Sequence, residues 1–357
     1  MSFFEKRLSF VKNFIEERGL SAFLFSSPAS VFYLSGFKSS QAYVLITLEK
    51  NYFITDGRYY EKAERELKNL WEVFLIRGNT LNFLKTLFRE LKIKKLGFEK
   101  DHLTCEIREK LKTKGIKFLG LSQVLKDLRK RKLPEEREIL KEGIKKTDQV
   151  YLKVLEFIKP GISELELRAK VIEEIFKIGA LGESFPTIVA GGPNSSIPHW
   201  QSSEKLISSS APLLIDLGLL WKNYCTDFTR TLYLGKPEQE FLKIYEIVRS
   251  SWFKAFEKVK TGIPVGKIDQ SVREYFNQKG VLNHFIHATG HGIGIEVHEP
   301  PRIYYQEKEI IEEGMVFTIE PGLYFPNKFG IRLENLVFVE EGRGKVYSEV
   351  SLELKIL

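Results

Sequence analysis

Pro212-Leu-Leu-Ile-Asp216-Leu-Gly-Leu-Leu-Trp221, then Lys222-Asn223, then Tyr224-Cys-Thr-Asp227-Phe-Thr-Arg-Thr-Leu-Tyr-Leu234 reads as two apolar strands folded about a two-residue turn. Folding there brings Asp216 opposite Asp227, or within one pair of it, with both side chains on one face. Directly opposed residues have Cβ atoms about 4.5–5.5 Å apart, so two carboxylates at that spacing repel unless something positive lies between them.

The same device recurs toward the C-terminus. Met315-Val-Phe-Thr-Ile-Glu320 and Gly330-Ile-Arg332-Leu-Glu334-Asn-Leu-Val-Phe338 flank Pro326-Asn327-Lys328, and reflection about Asn327 sets Glu320 opposite Glu334. All four acids interrupt apolar strands, and a buried carboxylate is protonated, paired or metal-bound. One such hairpin is explained as readily by an ion pair as by a metal. Two of them beside a histidine cluster point to metal.

The histidine cluster is His287-Ala-Thr-Gly-His291-Gly-Ile-Gly-Ile-Glu-Val-His298-Glu-Pro-Pro, which holds three of the six histidines and is read as a glycine-rich loop. A fourth, His199, follows in Pro193-Asn-Ser-Ser-Ile-Pro-His199, whereas His102 and His284 stand alone and read as packed residues. Gly290, Gly292 and Gly294 let the backbone carry His291 close to an ion. A phosphate cradle is disfavoured, because the spacing is not G-x-G-x-x-G and no Lys-Ser/Thr follows. Four carboxylates and one imidazole describe a pair of divalent ions in an oxygen-rich shell, with manganese, cobalt or iron(II) favoured over zinc.

Around this core the chain divides. A length of 357 residues suits two domains, and 43% hydrophobic with 13% aromatic residues suits a folded protein. Short strands alternate with helical segments from Phe3 to about Gln123, the pattern of a layered α/β domain. Charged residues and Pro134 cluster over Leu125 to Glu136, so residues 1–126 are expected as one domain and 127–357 as the other. In the second, helices are expected over Pro134–Ile158, Glu164–Ile178, Glu238–Lys260 and Lys267–Lys279.

The net charge of +8 is spread and interleaved with acids, which reads as a solvated surface and not a nucleic-acid face. No apolar run approaches a membrane span, so no membrane partner is expected. Cys105 and Cys225 are far apart, and Glu5, Lys6, Arg7, Lys12 and Glu16 break any signal-peptide core, so a cytoplasmic location is expected.

These stretches, Ile215-Asp216-Leu-Gly with Tyr224-Cys-Thr-Asp227-Phe-Thr-Arg, then His287-Ala-Thr-Gly-His291-Gly-Ile-Gly, Thr318-Ile-Glu320-Pro-Gly-Leu-Tyr324 and Gly330-Ile-Arg332-Leu-Glu334-Asn, together resemble the pita-bread metallopeptidases. That family holds methionine aminopeptidase, Xaa-Pro aminopeptidase, prolidase and creatinase. Tyr33-Leu-Ser-Gly-Phe and Phe53-Ile-Thr-Asp-Gly-Arg-Tyr59 resemble the creatinase-type domain that precedes the catalytic domain in prolidases and Xaa-Pro aminopeptidases. The implied fold is therefore a creatinase-like α/β domain followed by a pita-bread catalytic domain.

The resemblance implies that Asp216 holds one metal, that His291 and Glu320 hold the other, and that Asp227 and Glu334 bridge both. It implies a proton shuttle at Glu320, substrate-binding roles for His199 and His298, a further histidine of the proline-specific branch at His287, and Arg332 paired with a metal-binding carboxylate. Thr229 and Tyr324 are further candidates beside the site. The implied activity is hydrolysis of the Xaa-Pro bond in short peptides by a homodimer. Prolidase is the first reading, Xaa-Pro aminopeptidase the second, and a non-catalytic binding protein on the same fold the third.

Overall fold

The computed structural model describes residues 3–357. The chain forms two compact units that meet after Asp127, with Leu128–Leu357 as the second.

The first unit is a mixed six-stranded sheet flanked by helices. In chain order it contains α1 (Phe3–Glu17), β1 (Ala22–Phe25), α2 (Pro28–Ser35), β2 (Ala42–Ile46), β3 (Asn51–Thr55), α3 (Tyr60–Leu67), β4 (Glu72–Leu75), α4 (Thr80–Glu90), β5 (Lys95–Glu99), α5 (Cys105–Leu111) and β6 (Lys117–Leu121). The strand order is β4-β3-β2-β1-β5-β6. Its core joins Leu24, Leu45 and Ile54 of the sheet to Leu84, Leu87 and Phe88 of α4. Helix α2 has no counterpart in the sequence pattern, because Val31, Tyr33 and Leu34 sit in a run too short and too uniformly apolar to show a helical period. Ser27 caps it, accepting from Ser30 N at 3.1 Å.

A short α6 (Lys126–Arg129) precedes the second unit, which runs α7 (Pro134–Leu155), α8 (Glu164–Lys177), β7 (Ile188–Gly191), β8 (Ala211–Leu217), β9 (Leu220–Trp221), β10 (Tyr224–Cys225), β11 (Phe228–Leu234), α9 (Gln239–Phe256), α10 (Gly266–Gln278), β12 (Gly290–Gly292), β13 (Glu299–Ile303), β14 (Val316–Ile319), β15 (Gly322–Phe325), β16 (Phe329–Arg332), β17 (Asn335–Glu340) and β18 (Arg343–Lys345). Two sheets matter for the site, β11-β8-β7 and β13-β12-β14-β17-β18. Helix α9 stops before Lys260, the expected end, because Lys260 forms a bridge with Arg343.

Each sheet has one face covered by helices. Leu213, Ile215 and Leu217 of β8 pack with Val150 and Val154 of α7 and with Leu167 and Val171 of α8. Phe317 and Ile319 of β14 and Val337 and Val339 of β17 pack with α9 and α10 through Val248, Trp252 and Phe276. Strand side chains alternate, so Asp216, Thr318 and Leu336 point to the other face. Asp216 thereby points away from the face covered by α7 and α8, and the opposite face of the second sheet turns away from α9 and α10, with Val316, Leu336 and Phe338 packing there on Leu140 and Ile144 of α7. Among the described residues no helix is long and apolar enough to cross a membrane, and Cys105 and Cys225 are both free.

Candidate active site

Lys222 and Asn223 both take positive φ, at 48° and 63°, and close the two-residue turn with Trp221 paired to Tyr224. That turn fixes the register along the hairpin, and it sets Asp216 opposite Thr229. Asp227 falls opposite Gly218, just beyond the β8–β11 ladder, so the two aspartates lie diagonally, two pairs apart. They are one pair further apart than the hairpin reading allowed. Both still point to one face, because a shift of two preserves the alternation. Gly218 is required at the crossing, since a Cβ there would lie 2.1 Å from both Thr226 O and Ser184 Oγ.

The second hairpin keeps the expected register. Ile319 pairs with Asn335 on one side and Gly322 with Arg332 on the other, so Glu320 and Glu334 face each other across the gap. His291, expected in a loop, instead occupies the centre of strand β12, which pairs with β13 and β14. A three-residue strand that is two-thirds glycine carries no apolar alternation, so its sequence gives no strand signal. The glycines permit the pairing, because a Cβ on Gly290 would lie 2.0 Å from Thr318 O and one on Gly292 2.2 Å from Pro300 O.

Nine of the eleven site candidates read from the sequence line one cavity of about 760 Å³, namely His199, Asp216, Asp227, His287, His291, His298, Glu320, Arg332 and Glu334, while Thr229 and Tyr324 do not. Ligand atoms of Asp227, His291 and Glu334 lie within 4.8 Å of one another. His291 Nε2 is 3.5 Å from Asp227 Oδ2 and 3.4 Å from Glu320 Oε1. Its Nδ1 is 3.1 Å from Gly292 O, which assigns the proton to Nδ1 and leaves the Nε2 lone pair facing the carboxylates. Burial holds this imidazole below its usual pKa and so favours the neutral form. Acceptor then faces acceptor. Among the described residues, buried Asp216 Oδ1 and Glu334 Oε1 have no hydrogen-bond partner.

Electrostatics give the same picture. Burial, followed by repulsion from Glu334, Asp216 and Glu320, pushes Asp227 well above the usual carboxylate range. Burial and its acidic neighbours do the same to Glu334. Burial likewise raises Glu320, although His287 and Arg332 oppose it. Protons alone could neutralise the acids and turn one O–H toward His291 Nε2, but they leave the oxygens Asp216 Oδ1 and Glu334 Oε1 without partners. A divalent cation satisfies all three conditions, so the donor set fits a hard metal.

Around these groups lies a hydrogen-bonded frame. Arg332 Nη2 donates to Asp216 Oδ2, Nη1 donates to Tyr324 Oη at 2.8 Å, and Nε donates to Thr229 Oγ1 at 3.2 Å. Thr229 Oγ1 in turn donates to Glu334 Oε2 at 2.6 Å. Tyr324 Oη is 3.0 Å from His287 Nε2, and His287 Nδ1 is 2.7 Å from Ala288 O, which together define a chain Arg332→Tyr324→His287. Burial pushes the Tyr324 hydroxyl up to about 12, so it remains a donor at neutral pH. Arg332→Lys keeps the charge but loses the planar fork. It is expected to weaken metal affinity and lower kcat/KM by roughly 10–100-fold, measurable by metal titration and steady-state kinetics; unchanged affinity would remove Arg332 from this frame.

Two further anchors escaped sequence reading. Arg230 is fully buried, and its five N–H groups reach Thr229 O, Glu334 O, Asn335 Oδ1, Val350 O and Ser351 O, tying the backbone at Glu334 to the C-terminal segment. Asp269 on α10 accepts from Thr289 N, Thr289 Oγ1 and Tyr305 N, while its ion-pair partner Arg273 donates to His287 O at 2.8 Å. Each joins segments distant in sequence. A short-range pattern could not reveal them.

Fold and site together define a metal-dependent hydrolase with a separate N-terminal α/β unit. Residues 138–341 match metallopeptidase family M24 and residues 7–131 match the creatinase/prolidase N-terminal domain. The chain belongs to metallopeptidase family M24. It is 33% identical to the Xaa-Pro dipeptidase of Pyrococcus furiosus over 98% of this chain and 99% of that protein. Among solved structures, it matches an Xaa-Pro dipeptidase from Bacillus anthracis with a TM-score of 0.94 at 33% identity, covering 99% of this chain and 100% of that one. It matches an X-Pro aminopeptidase from Thermotoga maritima with a TM-score of 0.89 at 32% identity, covering 96% and 99%. The fold is thus a creatinase-type domain followed by a pita-bread domain, as the resemblance implied.

Proposed function

We propose that this protein is an Xaa-Pro dipeptidase that uses two divalent ions, with residues 1–126 as its creatinase-like domain and 127–357 as its catalytic domain. One observation carries the reading. The unprotonated nitrogen of His291 faces Asp227 and Glu320 in a cavity with two orphaned carboxylate oxygens, on a chain that spans the full length of a named Xaa-Pro dipeptidase. In this reading Asp216 would hold one ion, His291 and Glu320 would hold the other, and Asp227 and Glu334 would be shared by both. Manganese, cobalt or iron(II) suits these hard donors better than zinc.

When bound, such ions polarise the scissile carbonyl and make attacking water acidic enough to act at neutral pH. Glu320 accepts the proton of that water and returns it to the departing proline nitrogen. His199 and His298, both exposed at the cavity, bind the peptide and stabilise the charge that develops on the carbonyl oxygen. His287 is held neutral by burial, and the Tyr324 hydroxyl fixes its orientation. A cytoplasmic homodimer completes the proposal.

The test is direct: the manganese-loaded protein is assayed on Ala-Pro and on Ala-Pro-Ala. Faster turnover of the dipeptide is the expected result. Preference for the tripeptide would identify an Xaa-Pro aminopeptidase instead, the activity named for the Thermotoga maritima neighbour. Inactivity on both, without bound metal, would favour a non-catalytic role.

A further inference from the structure

Glu164 occupies the first turn of α8, where an acid usually completes a capping box. Here Glu166 has that role: Ser163 Oγ accepts from Glu166 N at 3.1 Å, and Glu166 Oε2 accepts from Ser163 N at 2.8 Å. Glu164 is left free to turn away from the helix, and it is fully buried. Its carboxylate collects five donors from one loop. Oε1 accepts from Gly191 N and from Asn194 Nδ2, each at 2.8 Å. Oε2 accepts from Trp200 Nε1 at 2.8 Å, Ser203 N at 3.0 Å and Ser203 Oγ at 2.8 Å.

Charge-assisted bonds of this kind are about twice as strong as neutral ones, and five on one carboxylate leave the loop little freedom. The loop from Gly191 to Ser203 carries Pro198, His199, Trp200 and Gln201 into the wall of the active-site cavity. Trp200 has only one polar atom, and Glu164 takes it. The ring therefore meets the cavity as an apolar surface, beside Phe185, Pro186 and Ile188.

We infer that Glu164 is a positioning residue for substrate recognition: by holding the Trp200 indole and the loop carrying His199, it sets the apolar wall against which an uncharged substrate residue packs. For its substrate this rests on the proline-peptide reading above. The wall is touched in both the ground state and the transition state, so its displacement weakens uniform binding and appears in KM.

Glu164→Gln replaces one acceptor oxygen with an NH2 group that opposes the donors on its side. The expected result is a KM for Ala-Pro raised about tenfold, the scale of a lost charge-assisted contact, with manganese content unchanged. A purely structural defect would instead lower the active fraction, reducing kcat at constant KM. Trp200→Phe removes only the N–H donor and keeps a ring. It should raise KM in the same direction, and the double variant should lose less than the product of the two single losses, because both break one bond.

Trp200 emission, isolated by subtracting the Trp200→Phe spectrum, should move to longer wavelength in Glu164→Gln as the ring is released toward water. Unchanged KM with unchanged emission in Glu164→Gln would overturn the inference, as would a Trp200→Phe variant with wild-type KM if Glu164→Gln does not fold. A red shift in a protein that never cleaves Ala-Pro would support the loop anchor and reject the proline-peptide reading.

Discussion

Asp227→Asn is expected to reduce kcat/KM for Ala-Pro by at least about 10³-fold, the scale of losing an essential electrostatic catalyst. An amide is neutral and offers one carbonyl oxygen, whereas the proposed bridge requires an anion with two. The same change should leave the metal-free fold as stable as before or more so. In the metal-free protein Asp227 is buried among Glu334, Asp216 and Glu320, and its carboxyl is driven upward by that burial and by those charges. Removing one acid relieves the repulsion. Metal analysis, Ala-Pro kinetics and thermal unfolding in chelator check the three parts together. A variant that keeps both ions and near-wild-type turnover would end the two-ion proposal.

The second large effect lies in the cavity wall, at Glu299→Gln. Glu299 is buried, as are Arg129 and Lys132, and its carboxylate accepts from Arg129 Nη2, from Lys132 Nζ at 3.1 Å and from Glu296 N at 3.0 Å. Gly294 must lack a side chain, since its Cβ would stand 2.8 Å from the same carboxylate. Neutralising the centre of this network takes the carboxylate from buried Lys132 and leaves Arg129 with the half-exposed Glu296 at 2.8 Å, and the typical cost of breaking such a buried pair is about 3–5 kcal/mol. For a unit of this size that corresponds to a fall in Tm of roughly 10 °C. A fall of only one or two degrees would show that the pair is nearly neutral in energy.

The network also has a pH signature. Burial would raise the Glu299 carboxyl, but Lys132 and Arg129 outweigh it and hold the group at about 2, below the ordinary glutamate value of 4.5. A depressed folded-state pKa contributes stability that is complete above the unfolded value and disappears as pH falls toward the folded one. Glu299 therefore stabilises the wild type above about pH 4.5 and less and less between there and about pH 2. Acid unfolding of Glu299→Gln should lack this component, so wild type and variant converge in stability as pH falls through that window.

How much of this was legible depended on how local each feature is. Asp216 and Asp227 announced themselves because each interrupts a run of apolar residues on either side of a two-residue turn. Glu320 and Glu334 did so for the same reason, and there the expected register agrees with the ladder. In the first hairpin the two-residue turn at Lys222 and Asn223 was legible, and carried through pair by pair from Trp221↔Tyr224 it already sets Asp216 opposite Thr229, so the diagonal placement of Asp227 follows from the turn itself and not from any departure of the fold. His291 was found by its neighbours and not by its strand, since Gly290 and Gly292 carry no alternation. Glu164, Asp269 and Arg230 were invisible. Each reads as an ordinary charged residue on an ordinary element, and each acquires its role from donors or acceptors far along the chain.

By itself, the sequence determined which residue types are present at which period: two acid-bearing hairpins, a histidine-rich segment and a composition that cannot leave those acids solvated. Those are consequences of local geometry and of the cost of burying charge, and both operate along the chain. Tertiary structure alone decided that Glu164 grips the loop of Trp200, that Arg230 ties Glu334 to Val350 and Ser351, and that Glu299 anchors Arg129 and Lys132. A buried charge is stable only where its partners converge in space, and that convergence is a property of the folded chain.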